Sequence, residues 1–70
     1  MIVHPLKTLR LEKGFPIALV AVNARVGTST IVMIERYGHN PRVETKQKLA
    51  AALGVSVEAI WPSHMGMIHE

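Results

Sequence analysis

Cysteine is absent from the chain. Neither a disulfide framework nor a thiolate metal site can reinforce its core, and a metal would need several His, Asp or Glu side chains to converge instead. The four histidines, His4, His39, His64 and His69, fall in different predicted elements without helical or hairpin ligand spacing, so no metal site is expected. No serine or acidic residue has a sequence partner that would make a nucleophile and its base, so an enzyme reading has no support and no cofactor is implied. Internal repeats and low-complexity tracts are missing too, and Met1–Pro5 has no cationic start of the kind a secretory signal needs. The lack of thiols accords with a reducing cytosol, and a cytoplasmic location is the expectation.

A long unbroken apolar run is also lacking. The most apolar window, Phe15–Ile34, reaches membrane length but is interrupted by Pro16, Asn23, Arg25 and Gly27. A central arginine alone costs ~2.5–3.5 kcal/mol on insertion scales, so no membrane partner is expected. The 70 residues make one domain, and at that length folding hides only about 60% of the unfolded surface and a lone core supplies ~3–5 kcal/mol. Lysine and arginine outnumber acidic residues eight to five, a net charge of +3 with neutral histidines. That mild excess permits a polyanionic partner without demanding one.

What the chain does have is helical periodicity. Leu6, Leu9, Arg10 and Lys13 recur at three- and four-residue spacing and Gly14 follows, which predicts a helix over Pro5–Lys13. Pro16 suits the first turn of a second helix whose stripe Ile17, Val20, Ala21 and Ala24 faces inward. After a turn at Asn23–Gly27, with Val26 plugging the core, a third helix carries Ile31 and Ile34 inward and runs through Arg36. The turn formers Tyr37-Gly38-His39-Asn40-Pro41 lead to a fourth helix from Arg42 or Val43, with Glu44 in its first turn. There Val43, Leu49, Ala50 and Leu53 are expected inside, Lys46, Gln47 and Lys48 outside, and Gly54 at the end. Ser56 is placed to cap a short fifth helix that packs Val57, Ile60 and Trp61 before Pro62. Residues 1–62 thus form one helical domain, and Ser63–Glu70, without periodicity, is expected to be a flexible tail. Two short helices joined by a turn and backed by a small helical support have the organisation of a helix-turn-helix, whose second helix fits the DNA major groove.

The segments Arg10, Glu12-Lys13-Gly14, Ala21, Val26-Gly27-Thr28-Ser29-Thr30-Ile31, Ile34-Glu35-Arg36, Asn40-Pro41, Glu44-Thr45, Lys48-Leu49-Ala50 and Ala52-Leu53-Gly54-Val55-Ser56-Val57 together resemble the phage-repressor-like (Cro/XRE) helix-turn-helix family. The resemblance covers Leu6 to Trp61 and rests on the order and spacing of the motifs. It implies an all-α, five-helix domain of the lambda-repressor-like type that binds double-stranded DNA, usually as a two-fold homodimer on a palindromic operator. It further implies that Thr28, Ser29, Val32 and Met33 form the outward face of the recognition helix. Arg36, Tyr37, His39 and Asn40 would approach phosphates, and Arg42 would reach toward the minor groove. Arg10 and Glu35 match positions that relatives often pair between the first and third helices. Ile60 and Trp61 lie where relatives often dimerise.

The chain departs from that family pattern in particular places. Pro16-Ile17 stands where relatives commonly have Ser-Gln, Ala18, Leu19 and Val22 replace exposed polar residues, Arg25 replaces the turn glycine, and Val32 and Met33 replace long polar readers. A helix apolar almost all round wants cover, so Leu19 and Val22 are rival dimer candidates. The resulting expectation is a sequence-specific transcriptional regulator, a repressor acting by occupying an operator. The alternative is a protein-interaction module that uses Ile17, Leu19, Val22, Val32 and Met33 to grip another protein, such as a toxin, or its own copy. Blander roles stand beside each site residue: helix-start chemistry for Thr28 and Ser29, core packing for Val32, Met33 and Trp61, and plain surface solvation for the cations.

Overall fold

Helix starts and stops follow from local backbone chemistry. The computed structural model describes residues 3–62 and holds five helices: α1 (Pro5–Glu12), α2 (Ile17–Ala24), α3 (Thr28–Tyr37), α4 (Val43–Leu53) and α5 (Val57–Ile60). No strand occurs among the described residues, and the expected tail, Ser63–Glu70, lies outside them. His4 precedes α1 in an extended conformation, and its Nδ1 accepts a hydrogen bond from the Leu6 N–H at 3.0 Å. Pro5 follows at the first helical position, where its missing N–H leaves nothing unsatisfied. Pro16, expected inside the first turn of α2, instead sits just before it, with φ −70° and ψ 158°. That extended ψ is the conformation of a residue entering a helix rather than belonging to it.

Three helices end in the same wrap. Phe15 N–H donates to the Arg10 carbonyl at 2.9 Å, Val26 N–H to Ala21 at 3.0 Å and Val55 N–H to Ala50 at 3.0 Å. Each bond closes the helix over a residue in the left-handed region. At α1 and α4 that residue is Gly14 (φ 72°) or Gly54 (φ 70°), but at α2 it is Arg25, with φ 58° and ψ 46°. A side chain there crowds the following carbonyl and costs about 1–2 kcal/mol.

The buried faces meet in one core. α2 packs on α3 and α4, α1 on α3 and α5, and α4 on α5. Leu6, Val20, Ile31, Ile34, Leu49 and Ile60 are fully enclosed, with Ala21, Ala24, Ala50, Leu53 and Trp61 filling between them. Burying each large aliphatic side chain supplies about 1.5–3 kcal/mol. Ile17, expected on the buried stripe of α2, is only partly covered and packs against the edge of the core.

Two assignments on α4 are reversed. Val43, expected inside, is 51% exposed, and Lys46, expected outside, is 7% exposed. Both lie on the stripe that continues through Leu49, Ala50 and Leu53 at three- and four-residue intervals. Val43 is the first residue of α4, at the open end of that stripe. Lys46 lies one turn further in, where its stem is covered and its ammonium sits over the Trp61 ring, 5.5 Å from the centroid. The period set the angle of both residues, and the reach of the neighbouring elements decided burial.

Candidate nucleic-acid interface

Between α2 and α3 the chain bends by 118°. No single helix among the described residues is long and apolar enough to cross a membrane. The bend is made at Arg25-Val26-Gly27, where the left-handed arginine ends α2 and extended Gly27 (φ −73°, ψ 151°) admits α3.

A buried ion pair fixes α3 from its inner side. Arg10 on α1 donates from Nε to Glu35 Oε2 at 2.8 Å and from Nη2 to Oε1 at 3.0 Å, while its Nη1 donates to the Phe15 carbonyl at 2.9 Å. The two side chains retain only 8% and 4% of their accessible surface. Hydrogen bonding to Glu35 outweighs the desolvation of Arg10 and raises its pKa further above the ordinary arginine value. The fork-to-fork geometry sets the rotation of α3 as well as its distance from α1. Ile31 and Ile34, on the same inner side, are wholly buried.

The opposite side of α3 is open. Thr28 and Ser29 are exposed, Val32 is half-buried, Met33 is 45% exposed, and Arg36 and Tyr37 are exposed beyond them. Positions 28, 29, 32, 33 and 36 recur at helical spacing and form one stripe. Gly27 enters α3 without a side-chain cap, and among the described residues neither the Thr28 nor the Ser29 hydroxyl makes a hydrogen bond within the chain. Helix-start capping therefore does not occupy these hydroxyls. After α3 the chain turns through left-handed Gly38. Pro41 is buried and anchors the loop, while His39, Asn40 and Arg42 around it are exposed.

Of the four dimer candidates, Ile60 and Trp61 are enclosed within the protomer at 1% and 7% exposure. Trp61 is bounded by His4, an edge-to-face neighbour with ring centroids 6.1 Å apart, and by Lys46. The core-closing role is the one this packing realises. Leu19 and Val22 on α2 remain exposed. Sequence reasoning gave no role to His4 and placed Lys46 outside. The signals available were Pro5 directly after His4, which marks His4 as the entry residue, and the position of Lys46 on the apolar stripe of α4.

The helix-turn-helix family pattern matches residues 6–60, which span all the packed elements. The chain belongs to the helix-turn-helix family, of the Cro/C1 type. Among solved structures it is similar to the N-terminal DNA binding domain of SinR from Bacillus subtilis. The two are 35% identical with a TM-score of 0.74, over 80% of this chain and 83% of that one. No curated protein matches the chain in sequence. The fold is therefore the all-α, lambda-repressor-like one, α2 and α3 are its helix-turn-helix pair, and the stripe from Thr28 to Arg36 is the open side of the second helix of that pair.

Proposed function

We propose that this protein is a sequence-specific DNA-binding transcription regulator, a repressor that acts in the cytoplasm as a dimer on a palindromic operator. The observation that carries this reading is the second helix of the helix-turn-helix pair. Its inner side is locked to α1 by Arg10 and Glu35, and its outer stripe is open, with free hydroxyls at Thr28 and Ser29. The likeness to a domain that binds DNA, in a chain with a net charge of +3, adds support.

In this reading α3 enters the major groove. Thr28, Ser29, Val32 and Met33 meet base edges, while Arg36, Tyr37, His39 and Asn40 contact phosphates that fix register without carrying sequence information. Arg42 reaches toward the minor groove, where narrow A·T tracts attract arginine. A dimer places two copies of α3 about 34 Å apart, one turn of DNA. Because Ile60 and Trp61 are used within the protomer, Leu19 and Val22 are the candidates left for contact with a second copy.

The exposure of Val22, at 74%, favours one second reading: a protein-interaction module that presents the apolar side of α2 and α3 to a partner protein such as a toxin. Titration against random-sequence duplex at low salt separates the two. Measurable binding that weakens steeply with salt supports the regulator. No binding, with self-association abolished by Leu19→Lys and Val22→Lys, supports the interaction module. Selection of duplexes from a random pool then reports which bases are read.

A further inference from the structure

We propose that the recognition helix reads the 5-methyl group of pyrimidines, with Val32 and Met33 as its specificity-determining residues, so that it treats thymine and 5-methylcytosine alike. This inference rests on the DNA-binding reading above and names the chemistry that the same surface selects.

The argument starts from what the open stripe of α3 does not carry. Between Thr28 and Glu35 there is no lysine, arginine, asparagine or glutamine. These are the side chains that grip guanine or adenine through two fixed hydrogen bonds. The one side chain there with such a fixed pattern, Glu35, has both carboxylate oxygens engaged by Arg10 on the inner side. Arg36 closes the stripe at its far end, eight residues and about 12 Å along the axis from Thr28, and is assigned above to phosphate rather than to a base. Two hydroxyls remain, on Thr28 and Ser29, and a hydroxyl donates or accepts as required, so it distinguishes bases poorly.

Apolar contact is what this surface can discriminate with. Val32 offers two methyl groups at partial exposure, and Met33 offers a flexible thioether at 45% exposure, one residue away on the same stripe. In the major groove a pyrimidine 5-methyl is the apolar feature of a base pair. An amino group of cytosine or adenine, or the N7 and O6 of guanine, set against Val32 or Met33 would lose water without gaining a partner. A methyl group there loses nothing and buries its surface. Because the selected feature is the methyl itself, cytosine methylated at the same carbon satisfies it as thymine does.

The test uses the full chain and duplexes recovered by selection from a random pool. Each is remade with deoxyuridine for each thymine in turn, and with cytosine or 5-methylcytosine in its place and guanine substituted for the adenine opposite. Each contacted methyl removed should weaken binding about three- to fivefold, the effect of one buried carbon. Cytosine should be as poor as uracil or poorer, and 5-methylcytosine should restore most of the loss. The dependence on salt should stay unchanged, since no phosphate contact is altered. Met33→Gln, a change at a half-open position, should abolish the uracil penalty at one base pair while leaving the penalty at the other. Specific binding with equal affinity for thymine and uracil duplexes would overturn methyl readout and leave the DNA-binding reading standing. Failure to bind any duplex even at low salt would overturn both.

Discussion

The ammonium of Lys46 lies 5.5 Å from the centre of the Trp61 ring, and both residues are 7% exposed. A lysine on the inner face of α4 is thereby joined to the residue that follows α5. No carboxylate lies within salt-bridge distance of Lys46 among the described residues, so the negative face of the indole is the partner that compensates its burial. Desolvated cation–π contacts of this kind are worth up to about 2 kcal/mol. A double-mutant cycle with Lys46→Met and Trp61→Leu, measured by urea unfolding, should give a coupling of about 0.5–2 kcal/mol. Additive effects would show that Lys46 contributes only through its aliphatic stem.

Arg10 and Glu35 should behave as a unit. Glu35→Ala leaves a buried guanidinium without its carboxylate and should cost about 3–5 kcal/mol, enough to unfold much of the population. The paired replacement Arg10→Met with Glu35→Leu removes both charges at similar volume and should recover most of that loss. Circular dichroism during thermal melting distinguishes the outcomes. A double variant no more stable than Glu35→Ala would mean that the pair stabilises beyond cancelling its own burial.

Arg25 occupies a conformation that the ends of α1, α3 and α4 give to Gly14, Gly38 and Gly54. Arg25→Gly should stabilise the fold by about 0.5–1 kcal/mol, the relief of left-handed strain less the extra freedom glycine gives the unfolded chain. In a domain of this size that raises Tm by several degrees. A lowered Tm would show that the arginine side chain makes a compensating contribution.

His4 caps α1 only while its Nδ1 is free to accept the Leu6 N–H. Burial lowers its pKa below the ordinary histidine value, and the attraction of Glu35 for the imidazolium opposes this only in part. The neutral form is therefore favoured in the folded state. The stabilisation is complete above about pH 6.5, where the unfolded chain is also neutral, and is lost as pH falls through the lowered folded pKa. Urea midpoints should thus decline between pH 7.5 and pH 5.5. His4→Asn, which retains a capping acceptor, should flatten that decline. An equal slope in the variant would assign the effect to other groups.

If each protomer neutralises three or four phosphates, the slope of log affinity against log salt for the dimer should be about −5 to −7. Arg36→Ala and Arg42→Ala should each make it shallower by about 2 per dimer while weakening binding to all sequences. Unchanged slopes would count against phosphate contacts by these two residues.

Much of the scaffold is legible in the order of residues. Apolar residues at three- and four-residue spacing, punctuated by Gly14, Gly38 and Gly54, marked all five helices and most of their ends. The order of motifs pointed to the helix-turn-helix family and to the Arg10–Glu35 pair that the structure joins. Local backbone chemistry acts over one turn and a buried stripe repeats along one helix, so both leave a trace in a linear pattern.

What the linear pattern could not hold is whatever depends on a second element. Charge placed Lys46 in solvent and hydropathy placed Val43 in the core, and the packing reversed both, because the Trp61 ring covers one position and the other lies at the open end of its stripe. The same packing enclosed Ile60 and Trp61 within the protomer and left Leu19 and Val22 open. The order of residues carried the helices, their succession and the family. Which faces are covered came from packing, because burial is a property of what neighbouring helices reach and not of the residue that is reached.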